Sequence, residues 1–102
     1  MFSIDPSPTF TASVAIPVPG GPAQALTLVF RHKRKSEIQR FLDGAAGRED
    51  ADLISEIVAG WKDVDAEFCA DNLARLLDAY PAAAWAILEA WVDALGRARE
   101  KN

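Results

Sequence analysis

Asp63, Asp65 and Glu67 alternate along the chain as the carboxylates of a calcium loop do, so oxygen coordination of a hard cation is the first chemistry to test. A calcium loop starting at Asp63 needs glycine at its sixth position and a carboxylate at its twelfth, where this chain has Phe68 and Ala74. The same carboxylates have a role without metal. Negative charge is stabilised at the start of a helix by the helix dipole, and Asp65 is a natural N-cap, so helix capping is the favoured reading. His32 is the sole histidine, and its even position continues the apolar face of a strand, across from Phe10. General-base chemistry would need an orienting carboxylate and a nucleophile beside it. No serine or cysteine sits in a recognisable nucleophile motif, so His32 reads as structural. Cys69 falls on an apolar helical stripe, where burial keeps a thiol protonated and inert. A single cysteine forms no intramolecular disulfide and no thiolate cage. With no convergent acid, base and nucleophile and no cofactor motif, the expectation is a protein that is not an enzyme and that uses neither metal nor cofactor.

The run Arg31-His32-Lys33-Arg34-Lys35 raises a different chemistry, since clustered cations release counterions from phosphate. A small nucleic-acid-binding regulator acting through Arg31 to Lys35 is therefore the alternative function. It is disfavoured because no aromatic platform interleaves the cations, no glycine-rich phosphate loop accompanies them, and the rest of the chain is acidic. Residues 1–35 hold four basic residues against Asp5, a net +3, and the remainder holds seven basic against fourteen acidic, a net −7. A bipolar surface follows, whose basic end suits an acidic protein segment.

The elements that position these residues follow from periodicity. Phe10, Ala12, Val14, Ile16 and Val18 are apolar at even positions, and after Pro19-Gly20-Gly21-Pro22 so are Leu26, Leu28 and Phe30. Two strands forming a β-hairpin over 10–32 are predicted. The shared parity requires an odd-numbered loop or a bulge, because a two-residue loop would put the two apolar sets on opposite faces. A loop of Gly20, Gly21 and Pro22 pairs Ile16 with Leu26, Val14 with Leu28 and Ala12 with Phe30. An isolated hairpin is marginal in water, so that face must lie on helices.

Four helices are predicted, over 36–47, 49–59, 66–79 and 81–99. Ser36-Glu37-Ile38-Gln39 has the form of a capping box, and Ile38, Phe41, Leu42, Ala45 and Ala46 follow at helical spacing until Gly44 and Gly47. Leu53, Ile54, Ile57, Val58 and Trp61 make the second stripe, with Gly60 suited to a left-handed stop. Cys69, Leu73, Leu76, Leu77 and Tyr80 make the third, opened by Asp65 as N-cap. Pro81 belongs in the first turn of the fourth helix, making Tyr80-Pro81 a corner. The fold class is α+β, an N-terminal antiparallel β-hairpin packed on a four-helix C-terminal region in the order ββαααα.

The fourth helix is the most unusual. At about 100° per residue, Ala84, Trp85, Ile87, Leu88, Trp91, Val92 and Leu95 cover an arc of roughly 160°, wider than one packing stripe requires. Ala83, Ala86, Ala90 and Ala94 fill much of the remaining side, leaving Glu89, Asp93, Arg97 and Glu100 as a narrow polar edge. Two readings stand together: a central helix buried on two sides, or a surface for a partner or a homo-oligomer. The candidate partner-binding residues are Tyr80, Trp85, Trp91, Ala86 and Ala90, with Trp85 at the edge of the arc.

At 102 residues and 50% hydrophobic side chains, the chain fits one domain spanning 1–102, burying somewhat over ~60% of its unfolded surface. No stretch approaches the ~20 consecutive apolar residues of a membrane span, and the first ten residues carry no basic residue. A protein of the cytoplasm, not bound to membrane, is expected.

The hairpin segment Ile16-Pro17-Val18-Pro19-Gly20-Gly21, followed by Gly60-Trp61-Lys62-Asp63-Val64-Asp65-Ala66-Glu67-Phe68, resembles the tail assembly chaperones of long-tailed phages and prophages. Asn72-Leu73, Leu76-Leu77, Tyr80-Pro81-Ala82 and Lys101-Asn102 extend the resemblance to nearly the whole chain from Phe10. It implies a non-catalytic protein of the host cytoplasm that binds the long helical tape measure protein, keeps it soluble and helps tail tube subunits polymerise around it. It supplies no catalytic residues. Such phages often make a longer product by frameshifting, and Glu100-Lys101-Asn102 can be encoded by a run of adenines; codons that interrupt that run would exclude slippage there.

Overall fold

The computed structural model describes residues 1–96 and has the order ββααβαα. Strands β1 (Thr9–Ile16) and β2 (Gln24–Arg31) form the antiparallel hairpin. Its register differs by two residues from the pairing that the Gly20-Gly21-Pro22 loop predicts: Val14 lies opposite Leu26, Ala12 opposite Leu28 and Phe10 opposite Phe30. The loop covers 17–23: Pro22, which would face Val18 as the next hydrogen-bonded pair, has no N–H to offer the ladder. Inside it, the Gly21 amide donates to the Val18 carbonyl at 3.1 Å, with Pro19 second in the turn and Gly20 third at φ 77°, as a type II turn requires. Seven residues is still an odd loop, so the apolar parity survives and Val14, Ile16, Leu28 and Phe30 are buried on one face. His32 is displaced with the register, its amide donating to the Pro8 carbonyl rather than facing Phe10.

The element that periodicity missed is β3 (Val58–Lys62), which follows α2 (Asp50–Ile57) without a connecting loop and pairs antiparallel with β2. Val58 and Trp61 therefore belong to a strand, and Gly60 is extended within it instead of ending a helix. The ambiguity is physical: Leu53, Ile54, Ile57 and Val58 are all buried, and at the junction neither period outweighs the other. Gly60 disfavours continued helix, and Val58, in the extended conformation, begins the ladder opposite Phe30. Ala59 bulges between the Val29/Gly60 and Phe30/Val58 pairs. The sheet order is β1-β2-β3.

Helix α1 (Lys35–Asp43) is shorter than the predicted 36–47. Its N-cap is Arg34, whose amide donates to Glu37 Oε1 at 2.7 Å; that is one half of a capping box, since the arginine side chain has no acceptor for the Glu37 amide, and it replaces the predicted Ser36/Gln39 pair. Helix α3 (Ala70–Ala79) starts four residues later than predicted, at Cys69 instead of Asp65. Segment 63–69 is held in a loop by two side chains: Trp61 Nε1 donates to the Ala66 carbonyl at 2.8 Å and Asn72 Nδ2 to the Glu67 carbonyl at 2.7 Å. Those carbonyls are thereby occupied outside a helical ladder. Cys69 is exposed, and Phe68 packs inward in its place, edge to face on Trp61 at 5.1 Å.

Helix α4 (Ala83–Leu95) lies over β1 and against α2 and α3. The predicted extension to residue 99, with Arg97, Glu100 and the terminal Lys101-Asn102, lies outside the described residues. Ala83, Ile87 and Trp91, spaced by four, have no exposed surface. Trp91 donates from Nε1 to the Arg31 carbonyl at 2.9 Å and meets Phe41 edge to face at 5.3 Å, so one side chain joins α4, β2 and α1. No described helix is long and apolar enough to cross a membrane.

Candidate protein-binding surface

The five residues singled out around α4 have different fates. Trp91 is wholly in the core, so a folded chain cannot offer it to a partner. Ala86 and Ala90 are half-buried, packed against the core beside Ala84, Leu88 and Val92. The wide apolar arc is thus used mostly within the chain, because the sheet lies under one side of α4 while α2 and α3 flank it. Trp85 is the exception. It is 67% exposed, and from Thr9 onward it is the one large apolar side chain among the described residues left in water.

Tyr80, at the C-terminal cap of α3, is half-buried and borders two hollows. The larger, of about 380 Å³, is lined by Ile16, Val18, Leu26, Val64, Leu76 and Tyr80, with Asp63 and Asp65 also on its wall. The second, of about 300 Å³, shares Val64, Asp65, Leu76 and Tyr80 and continues to Trp61 and Arg75. Asp63 adopts φ 58°, a left-handed conformation aspartate tolerates, directly after β3. Asp63 and Asp65, with Gln24, therefore form the polar part of the wall of a groove of mixed character, and neither caps a helix. Periodicity does not point to Val64 or to the hairpin end as groove residues; the available signal was one apolar residue between two aspartates, which the capping explanation left unused. The groove can accept bulky apolar side chains, and its two carboxylates favour a neighbour carrying Lys or Arg.

At the opposite charge extreme, the basic run is partly tied to carboxylates. Arg34 Nη2 lies 3.2 Å from Asp5 Oδ1, and Lys33 Nζ lies 3.2 Å from Glu56 Oε2. Arg48 Nη1 donates to Glu56 Oε1 at 2.8 Å, while Lys33 and Arg48 also sit over the Phe41 ring at 5.7 and 6.0 Å. Glu56 thus ties the end of β2 and the α1–α2 connection to α2. The Arg48 hydrogen bond, reinforced by Lys33 and opposed by partial burial, holds the Glu56 carboxyl below its ordinary pKa. A lowered folded-state pKa stabilises the fold above the unfolded-state pKa, and that contribution is lost as pH falls through the folded value. Glu56→Gln is therefore expected to be less stable than the wild type at neutral pH, with the difference closing under acid. Urea titrations at several pH values check this, and a pH-independent difference would refute it.

A family model for phage tail assembly chaperones matches residues 1–102. No curated protein and no solved structure matches the chain.

Proposed function

The chain belongs to the phage tail assembly chaperone family, and on that premise we propose that it is a non-catalytic chaperone that binds the tape measure protein and keeps it soluble while tail tube subunits assemble around it. The observation that carries this reading is Trp85, a tryptophan 67% exposed on a helix whose other large apolar side chains are turned into the core or packed against it. Tryptophan supplies a large rigid contact area and is enriched at binding hot spots. A helical tape measure segment exposes an apolar stripe before assembly, and burying that stripe removes the surface through which it would aggregate. The groove beside Tyr80 offers a second apolar contact, and Asp63 and Asp65 favour segments whose apolar stripe is flanked by Lys or Arg. Binding of this kind belongs to the cytoplasm of the host, where the tail is put together.

Co-expression of the chain with the tape measure protein is the direct test. Copurification and a larger soluble fraction of the tape measure protein are expected. If the two do not associate and tape measure solubility is unchanged, the proposed function is wrong.

A further inference from the structure

The four helices are not held equally. α2 buries Leu53, Ile54 and Ile57, α3 buries Leu73 and Leu77, and α4 buries Ala83, Ile87 and Trp91, but of the nine residues of α1 only Phe41 is buried. Ile38 and Leu42 rest half-buried at the edge of the core. A helix this short is unstable in water by itself, so α1 stays helical chiefly while Phe41 keeps it docked on Trp91.

Both ends of this helix lead to one carboxylate. Lys33, just before α1, and Arg48, in the connection after it, meet at Glu56 of α2, at 3.2 Å from Oε2 and 2.8 Å from Oε1. Arg48 Nη2 also donates to the Asp52 carbonyl at 3.3 Å. The same two cations lie over the Phe41 ring, so Glu56 holds in place the side chains that cover the anchor of α1. The remaining tie, Arg34 to Asp5, is exposed at both side chains and adds little. Beyond the helix, Gly44 and Gly47 give the connection the freedom of a hinge, with Gly47 already at φ 82°. A hollow of about 340 Å³ is lined by Arg40, Phe41 and Gly44 and by Lys33, Arg48 and Glu56, so water and salt reach the ionic contacts.

We propose that segment 34–47 is a flap, in which α1 leaves the core as a unit while the sheet and the other helices stay folded, and that Lys33, Glu56 and Arg48 form the latch that keeps it shut. Among the described residues every buried side chain except Phe41 lies outside this segment, so the rest of the core remains assembled when the flap opens. Opening lifts Phe41 off Trp91 and uncovers the apolar surface between them. Undocked, α1 loses its helix, because nothing else sustains so short a one. The latch is electrostatic and borders water, so ionic strength sets how often that surface is uncovered.

Native-state amide exchange of the full chain in low, rising urea, read by NMR, tests this. The amides of Gln39, Arg40, Phe41 and Leu42 are expected to exchange about tenfold faster or more than those of Leu28, Phe30, Ile87 and Trp91, at a rate nearly independent of urea, because local opening exposes little surface. Glu56→Gln is expected to speed exchange of the α1 amides about fivefold. About 0.5 M sodium chloride is expected to speed it in the wild type and to do little in Glu56→Gln, whose latch is already lost. If the α1 amides exchange only together with those of Leu28, Phe30, Ile87 and Trp91, in one global unfolding, there is no flap. If neither salt nor Glu56→Gln changes the α1 rate, these ionic contacts are no latch. Should Glu56→Gln fail to fold, the salt series on the wild type carries the test. The measurement uses no partner protein, so its outcome is independent of the proposed tape measure binding.

Discussion

Trp91→Ala is expected to lower the stability of the fold by about 3–5 kcal/mol, the range for deleting a buried large aromatic side chain. Trp91 has no exposed surface, packs on Phe41 and donates to the Arg31 carbonyl, so its removal opens a cavity between α4 and the sheet and leaves an acceptor without its donor. A domain of this size has on the order of 5–15 kcal/mol in total, so a substantial unfolded population is expected well below the wild-type melting temperature. Trp91→Phe separates the two causes. It keeps most of the aromatic volume but loses the N–H and part of the indole, so a smaller loss, about 1–2 kcal/mol, is expected. Urea unfolding measures both variants. A loss for Trp91→Ala below about 1 kcal/mol would show that this residue does not join α4, β2 and α1 as described.

Trp85→Ala is expected to do the reverse, leaving stability within about 0.5 kcal/mol of the wild type while weakening the proposed binding of the tape measure protein by about 2 kcal/mol, roughly 30-fold. The two tryptophans share one helix six residues apart, yet one is enclosed and the other stands 67% in water. Titration of the tape measure protein with each folded variant reads the affinity, and urea unfolding of the chain alone reads the stability. If Trp85→Ala binds as tightly as the wild type, the surface lies elsewhere, and Tyr80→Ala then tests the groove. A large stability loss in Trp85→Ala would instead show that this side chain is packed.

Much of the architecture was legible because alternation along a strand and spacing along a helix are local properties. Even-numbered apolar residues placed Val14, Ile16, Leu28 and Phe30 on one buried face whatever the loop length, since parity depends only on an odd number of intervening residues. The register was not legible, because Pro22 withdraws an amide from the ladder and the turn from Val18 to Gly21 closes inside a loop of seven residues. Strand β3 was hidden for a different reason. A buried run shows no contrast between faces, and its assignment depends on the backbone partner that β2 supplies from thirty residues earlier in the chain.

The candidate surface shows the same division. Composition and periodicity were sufficient to single out α4, because a helix with so little polar perimeter must be covered over most of its circumference. They could not say which tryptophan the chain itself covers. That depends on the direction from which the sheet, α1, α2 and α3 approach the helix, and such directions are set by contacts between residues far apart in sequence. Trp91 is enclosed because Arg31 and Phe41 arrive beside it, and Trp85 remains exposed because nothing among the described residues encloses it. Likewise the acidic residues before α3 were plain in the sequence, but their place on the wall of a groove exists only once the hairpin end, the loop after β3 and Tyr80 are brought together.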